Sequence, residues 1–501
     1  MACVMGSSCL PPMRRDNAGS RWRTGCVRVG NTFFIPDWNH WTPPVRTMSG
    51  RFSPPDGTAG GRLTTDSGAS DTPDAAEGET GSRMRHFGQL PPRVRRGLFQ
   101  HEPAEFTAES AGRTLSTALG ATLYCPATRT SLAADVVKQA RRGVVSMVLC
   151  LEDSIGDADV PAAESNLVEQ LVRLQRLVRG ADGGRGGAGD GAGAGWREQD
   201  VPLLFVRVRE PEQIVDLVAR LGPAAGLLSG FVLPKFTEER GIPFLEALAE
   251  AEAAAGRRLF AMPVLESPEL LHLETRAGTL AGIARAVDKY RERVLALRLG
   301  VTDFCSAYGL RRTPEMTAYD VQLVASVIGD VVNMLGRVDG TGYTVTGPVW
   351  EYFRLQERMF KPQLRQSIFT GRAEELRTAL IDDDMDGLLR EIELDRANGL
   401  QGKTCIHPSH VLPVHALSVV SLEEYSDATD ILRPERSGGG VVRSAYTNKM
   451  NEVKPHRAWA ERTLLRAELF GVAREGVGFV DLLAAGARAD GKPTGEGRAT
   501  G

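Results

Sequence analysis

Charged residues fall in this chain where runs of strand formers stop. Leu149-Cys150-Leu151 is followed by Glu152 and Asp153, Val264-Leu265 by Glu266, and Leu297-Arg298-Leu299 by Gly300-Val301-Thr302-Asp303. Cations stand at comparable places: Arg129 after Ala121–Cys125, Arg207 and Arg209 in Phe205-Val206-Arg207-Val208-Arg209, and Lys235 after Val232-Leu233-Pro234. His407 follows Cys405-Ile406. A charge beside a buried strand is costly unless it is paired or bound to metal, so its recurrence at strand ends points to one shared site. Taken singly, each residue also fits a helix cap or a salt bridge, and Asp303 is a residue that an N-cap favours.

Carboxylates without accompanying Cys or His suit a hard cation, Mg2+ or Mn2+, which keeps positions open for substrate oxygens. Glu266 and Asp303, on neighbouring strands, are the pair expected to hold it. Glu152 and Asp153 either orient metal-bound waters or pair with Arg207. Lys235 reads as a phosphate or carboxylate partner, as an ion-pair partner of Glu152, or as the Schiff-base nucleophile of a metal-independent aldolase. His407 is a hydrogen-bonded residue or a functional one. The acidic run Asp382-Asp383-Asp384 is expected to be a solvated turn.

The elements that must carry these groups alternate. Strand-like segments occur at Ala121–Cys125, Val144–Leu151, Leu203–Val208, Gly230–Pro234, Leu259–Leu265, Val294–Leu299, Tyr343–Val345 and Thr404–Ile406, with helical patterns between them, as near 131–142 and 161–179. Strand–helix alternation argues a parallel sheet. Eight such repeats, with no GxGxxG after the first strand, fit an α/β fold closed as a (β/α)8 TIM barrel better than an open doubly wound sheet. In that fold the strand C-termini share one face, which brings the charged groups to one mouth.

Around the barrel the composition changes. Residues 1–83, rich in Gly, Pro, Ser, Thr and Arg, are expected to be a disordered N-terminal segment, with Met84 as a second possible start of translation. The barrel domain is placed at 84–415 and interrupted by a flexible glycine-rich insertion at 180–199. A helical C-terminal extension is expected over 416–490, followed by a disordered tail at 491–501.

The 501 residues carry 42% hydrophobic side chains and a net charge of −3. That supports a sizeable core and gives no reason to expect nucleic acid or an acidic membrane surface as partner. Seven scattered cysteines without a CxxC pair fit reduced thiols rather than a disulfide framework or zinc site. No apolar run reaches the ~18 residues of a membrane helix, so a cytoplasmic location without a membrane partner is expected.

Seven short motifs occur in a fixed order: Pro126-Ala127-Thr128-Arg129, Leu151-Glu152-Asp153-Ser154, Val206-Arg207-Val208, Leu233-Pro234-Lys235, Leu265-Glu266-Ser267, Gly300-Val301-Thr302-Asp303 and Gly399 through Pro408. Together they resemble the HpcH/HpaI aldolase and citrate lyase beta-subunit family, whose barrel is of the phosphoenolpyruvate/pyruvate-binding type. The resemblance implies a Mg2+-dependent carbon–carbon lyase, with a small carboxylic acid or acyl thioester as substrate and a homo-oligomeric assembly. It implies Glu266 and Asp303 as metal ligands, Arg207 on the substrate carboxylate or enolate oxygen, Arg129 in the same pocket, and Glu152 and Asp153 behind them. Tyr446–His456 resembles the extra C-terminal region of a longer branch associated with tellurium-resistance gene clusters.

The chain departs from the family pattern in having Pro-Ala-Thr-Arg for Pro-Gly-Asp-Arg and Val-Arg-Val-Arg for Val-Arg-Val-Asn. Arg209 thereby adds a cation that suits a more anionic substrate or faces outward. No histidine lies between His101 and His272, so the aldolase branch's basic histidine is missing. Asp153, His407 and a metal-bound hydroxide remain open as the general base. A catalytically relaxed ligand-binding barrel in a stress-response system is the non-enzymatic alternative.

Overall fold

A computed structural model describes residues 84–179, 201–353, 385–436 and 438–489. The expected N-terminal segment, the glycine-rich insertion, Asp382–Asp384 and the C-terminal tail lie outside the described residues. A short strand β1 (Phe99–His101) precedes the barrel strands β2 (Ala121–Pro126), β3 (Ser146–Cys150), β4 (Leu203–Arg207), β5 (Leu228–Leu233), β6 (Phe260–Leu265), β7 (Arg298–Leu299) and β8 (Lys403–Cys405). After the barrel come β9 (Val441–Arg443), β10 (Met450–Glu452) and β11 (Val472–Ala473).

The sheet runs β7-β6-β5-β4-β3-β2-β8, and every pairing in it is parallel. The segment expected as a strand at Tyr343–Val345 forms no ladder of its own, yet it closes the ring. Val345 bridges to Leu297 beside β7, and Gly347 bridges to Lys403 of β8. Leu297 N donates to Thr344 O at 2.8 Å, and Thr404 N donates to Gly347 O at 3.1 Å. The segment is short because Gly347 presses against its neighbours. A Cβ there would lie 2.4 Å from Asp395 Oδ2 and 2.7 Å from Gly402 O, and Pro348 next in sequence has no N–H to extend a ladder. The fold is a (β/α)8 TIM barrel.

The strands are buried on both faces, which is why they read as nearly continuous apolar runs. Helices pack outside through amphipathic stripes. Gln322–Leu335 buries Val324, Val327, Ile328, Val331 and Leu335, a helical spacing. Inside, Val148, Phe205, Val232 and Met262 join Leu115, Ala118 and Leu119, so the helix Gly112–Ala118 plugs the N-terminal end of the barrel.

Beyond the barrel lie the helices Leu422–Ile431, Val453–Phe470 and Phe479–Ala489. Between the first two sits a β9–β10 hairpin that the helical pattern did not announce. β11 pairs antiparallel with β1, so the residues before and after the barrel meet at its N-terminal end. No helix among the described residues is long and apolar enough to cross a membrane. Cys125, Cys150, Cys305 and Cys405 are free thiols, all buried.

Candidate active site

Side chains alternate between the two faces of a strand. That parity carries the interior positions Val148 and Cys150 on to Glu152, Phe205 on to Arg207, and Met262 and Val264 on to Glu266. Each charged group is therefore the next inward position after an apolar run, at the C-terminal end of its strand.

Arg207 is the hub. Its Nη2 lies 2.7 Å from Glu152 Oε2, 2.9 Å from Asp153 Oδ2 and 2.9 Å from Glu266 Oε1. Its Nε is buried without a hydrogen-bond partner among the described residues. Lys235 approaches from β5, with Nζ 2.9 Å from Glu152 Oε1 and 3.9 Å from Asp153 Oδ1. Its backbone N–H donates to Glu266 Oε1 at 2.9 Å from a left-handed conformation, φ +47°. That conformation strains a residue with a Cβ, and here it turns the amide toward a carboxylate. Asp303 stands in the first turn of the helix Val301–Ser306 that follows β7.

Asp153, Glu266 and Asp303 each offer a carboxylate oxygen, and these oxygens lie within 4.8 Å of one another. Burial is the main cause that raises the Glu266 carboxyl to about 7, with the charge of Asp303 adding to it. Burial also raises Asp153, to about 6, and Asp303. Counting Glu152, four carboxylates face the two cations Arg207 and Lys235, which leaves a formal excess of two negative charges when all four are ionised. An all-oxygen donor set with that excess fits a divalent hard cation, which would neutralise it and favour ionised carboxylates.

The loop bearing Glu152 and Asp153 is tied down by Arg209. Its Nε donates to Leu151 O at 2.8 Å, its Nη2 to Ile155 O at 3.1 Å, and its Nη1 pairs with Asp157 at 2.5 Å. The additional cation of the Val-Arg-Val-Arg run thus acts as a brace in this structure. Arg129 stands apart: it is half exposed, and its Nε pairs with Asp135 Oδ2 at 2.7 Å. His407 hydrogen-bonds Ser409 Oγ at 2.8 Å and stacks on Phe353 with ring centres 4.7 Å apart.

The Lys235 ammonium is held protonated, its pKa raised chiefly by the hydrogen bond to Glu152. A Schiff-base lysine must instead lose its proton readily. Glu152 therefore works against the nucleophilic reading of Lys235.

Two residues of the site region were not singled out by strand-end charge. Gly300 leaves space for Glu266. Arg298, one inward position earlier on β7, is buried in the barrel, with Nη2 donating to Thr404 Oγ1 at 2.7 Å. Its guanidinium lies 5.5 Å from the centre of the Tyr124 ring. The signal for Arg298 was present, an arginine inside the strand pattern Leu-Arg-Leu.

A family described as C-C_Bond_Lyase, of the TIM-barrel fold, matches residues 113–472. Among solved structures, the CitE protein of Mycobacterium tuberculosis in complex with magnesium, acetoacetate and coenzyme A is 21% identical, with a TM-score of 0.41 over 70% of this chain and 99% of that one. A citrate lyase of Burkholderia xenovorans is 15% identical, with a TM-score of 0.47 over 73% of this chain and 96% of that one. A Haloferax volcanii malate synthase in a magnesium/glyoxylate complex is 13% identical, with a TM-score of 0.39 over 59% and 73% of the two chains. No curated protein matches the chain.

Proposed function

Because the chain belongs to the C-C bond lyase family of the TIM-barrel fold, we propose that it is a Mg2+-dependent carbon–carbon lyase. Its substrate is a small carboxylic acid or acyl thioester, cleaved or formed at the bond next to a 2-oxo acid or thioester carbonyl. The observation that carries this reading is the convergence of the Asp153, Glu266 and Asp303 carboxylates within 4.8 Å of one another, a donor set whose formal negative excess a divalent cation would neutralise. Glu266 and Asp303 would hold the cation, Mg2+ or in its place Mn2+. When bound, that cation supplies Lewis-acid polarisation of a substrate oxygen.

The protein's own groups supply the rest. Arg207 neutralises negative charge that develops on the substrate oxygen, its buried Nε being a donor without a partner among the described residues. Lys235 and Glu152 hold each other in place and keep Arg207 aimed inward. Asp153 is half exposed while Glu152 and Glu266 are buried, so it is the carboxylate best placed to take a proton from a substrate hydroxyl. Arg129 would have to leave Asp135 to meet a substrate carboxylate. The motif Tyr446–His456 is our ground for placing the chain in the longer, tellurium-resistance-associated branch, and a homo-oligomer in the cytoplasm is the form in which we expect it to act.

The test is a screen of 2-oxo acids, hydroxy acids and their acyl thioesters with and without Mg2+. Cleavage that requires Mg2+ and disappears in Glu266→Gln and Asp303→Asn supports the reading. Turnover that persists in EDTA overturns it. Asp153→Asn should lower turnover while leaving Mg2+ affinity nearly unchanged; unaltered turnover would remove Asp153 as the base.

A further inference from the structure

A second cavity lies at the opposite end of the barrel. Its volume is about 650 Å3, within the range of small-ligand sites. Gly399 through Gly402, the chain entering β8 at its N-terminal end, line it, as does Thr117 of the helix that plugs the barrel. The carboxylate cluster sits past the C-terminal strand ends, so this cavity is separate from the site above. Its outer wall is the helix Val453–Phe470, which contributes Trp459, Arg462 and Arg466.

The charges in this cavity are unevenly satisfied. Arg466 Nη2 meets Glu424 Oε2 at 3.2 Å, and Arg396 reaches Glu424 Oε1 at 3.9 Å, so two arginines share one carboxylate. Arg466 Nε is buried without a hydrogen-bond partner among the described residues. Arg462 has no carboxylate within ion-pair distance among the described residues. Its Nη2 donates to Gly399 O at 3.0 Å. With the Gln401 amide turned so that its oxygen faces the guanidinium, that oxygen accepts from Nη2 at 2.7 Å and Nε at 3.1 Å. Asp395 also lines the cavity, but Lys403 Nζ, 2.7 Å away, neutralises it from the barrel side. The exposed Glu393 is the other lining carboxylate. Three arginines against Glu424 and Glu393 leave a net charge of +1.

A half-buried guanidinium met only by neutral acceptors is an electrostatic cost that a bound anion would remove. The planar fork of Arg suits phosphate or carboxylate oxygens. Phosphate alone would leave most of this volume empty. The indole of Trp459, 39% exposed, and the apolar side chains of Leu400 and Leu417 line the remainder. We propose that this cavity is a second ligand site, for an organic phosphate that carries a flat ring, of the size of a nucleoside monophosphate. Its phosphate lies on Arg462 and Arg466 and its ring lies against Trp459.

The test is equilibrium binding of AMP and of inorganic phosphate to the full chain, in EDTA to keep divalent cations from the barrel mouth. AMP should bind, at least ten times more tightly than phosphate. Arg462→Gln and Trp459→Ala should each weaken AMP by ten-fold or more, whereas Asp303→Asn should not change it. Trp459 is partly exposed, so its truncation keeps the test usable if Arg462→Gln unfolds the chain. Absence of AMP binding, binding no tighter than phosphate, indifference to Trp459→Ala, or loss in Asp303→Asn would each overturn the proposal.

Discussion

Gly300 leaves the space in which the Glu266 side chain stands. A Cβ at residue 300 would lie 2.3 Å from Glu266 Cβ and 2.5 Å from Glu266 Oε2. The glycine is required by this close approach and not by its backbone, whose φ of −94° any residue can adopt. Gly300 N also donates to Leu265 O at 3.0 Å, which locks the end of β7 against the end of β6. One glycine thus sets how near the β6 carboxylate and Asp303, three residues further on, can come.

Gly300→Ala should therefore act on the proposed metal site more than on the fold. Overpacking of this kind costs about 1–3 kcal/mol, and if Glu266 is a ligand as proposed, displacing its carboxylate should weaken Mg2+ about 10–100-fold. Mg2+ titration and a denaturation curve on the same variant separate the two effects. Unchanged Mg2+ affinity would remove Glu266 from the ligand set.

Arg207→Lys tests the hub. One guanidinium nitrogen touches Glu152, Asp153 and Glu266 at once, and a shorter ammonium cannot keep all three contacts. Turnover should fall about 10²–10³-fold, the range seen when an oriented charge-stabilising donor is removed. A variant with near-normal turnover would show that Arg207 only holds the carboxylates apart.

The strand ends and their charges were legible because both depend on local sequence. A buried parallel strand must be apolar, and its inward parity carries on to Glu152, Arg207 and Glu266. The role of Gly300 was not legible, since it depends on a neighbour from a different strand. The same holds for Arg209, whose partners Leu151, Ile155 and Asp157 belong to the preceding βα loop. The partner of Arg129 was likewise not legible: Asp135, in the first turn of the helix Leu132–Arg141, holds its guanidinium. The β9–β10 hairpin was hidden because both strands are short and largely exposed, which leaves little alternation to read.

Borohydride trapping decides the fate of Lys235. The ammonium is paired with Glu152 at 2.9 Å and is held above its ordinary pKa by that bond. Incubation with substrate and borohydride should leave Lys235 unlabelled, while EDTA should abolish turnover. Labelling at Lys235 together with EDTA-resistant turnover would reverse the assignment.

A buried ion network steadies the barrel where it closes. Lys403 Nζ lies 2.8 Å from Glu391 Oε1 and 2.7 Å from Asp395 Oδ2, and Arg312 Nη1 lies 2.7 Å from Glu391 Oε2. Lys403→Met leaves Glu391 with Arg312 and Asp395 with the Tyr319 hydroxyl, and breaking such a buried pair costs about 3–5 kcal/mol. The urea midpoint should drop accordingly at neutral pH. An unchanged midpoint would mean that the carboxylates find protons or other donors without cost.

Acid should loosen the N-terminal end of the barrel through two buried histidines. His86 stacks on Phe470 with ring centres 4.0 Å apart, and His415 lies edge-on to His86 at 4.5 Å. Burial lowers His415 from 6.5 to about 3, and burial followed by the charge of His415 lowers His86 well below 6.5. The unfolded chain therefore takes up protons below about pH 6.5 that the folded chain refuses, so stability falls as pH drops from there toward the folded values. Each histidine contributes a slope of at most about 1.4 kcal/mol per pH unit. Asp395, raised to about 6 mainly by burial, pulls the other way, but it is common to the parent and to His415→Gln and cancels in their difference. Unfolding free energies measured from pH 7 to 4 should decline less steeply in His415→Gln than in the parent. Parallel curves would show that His415 takes up its proton inside the fold without penalty.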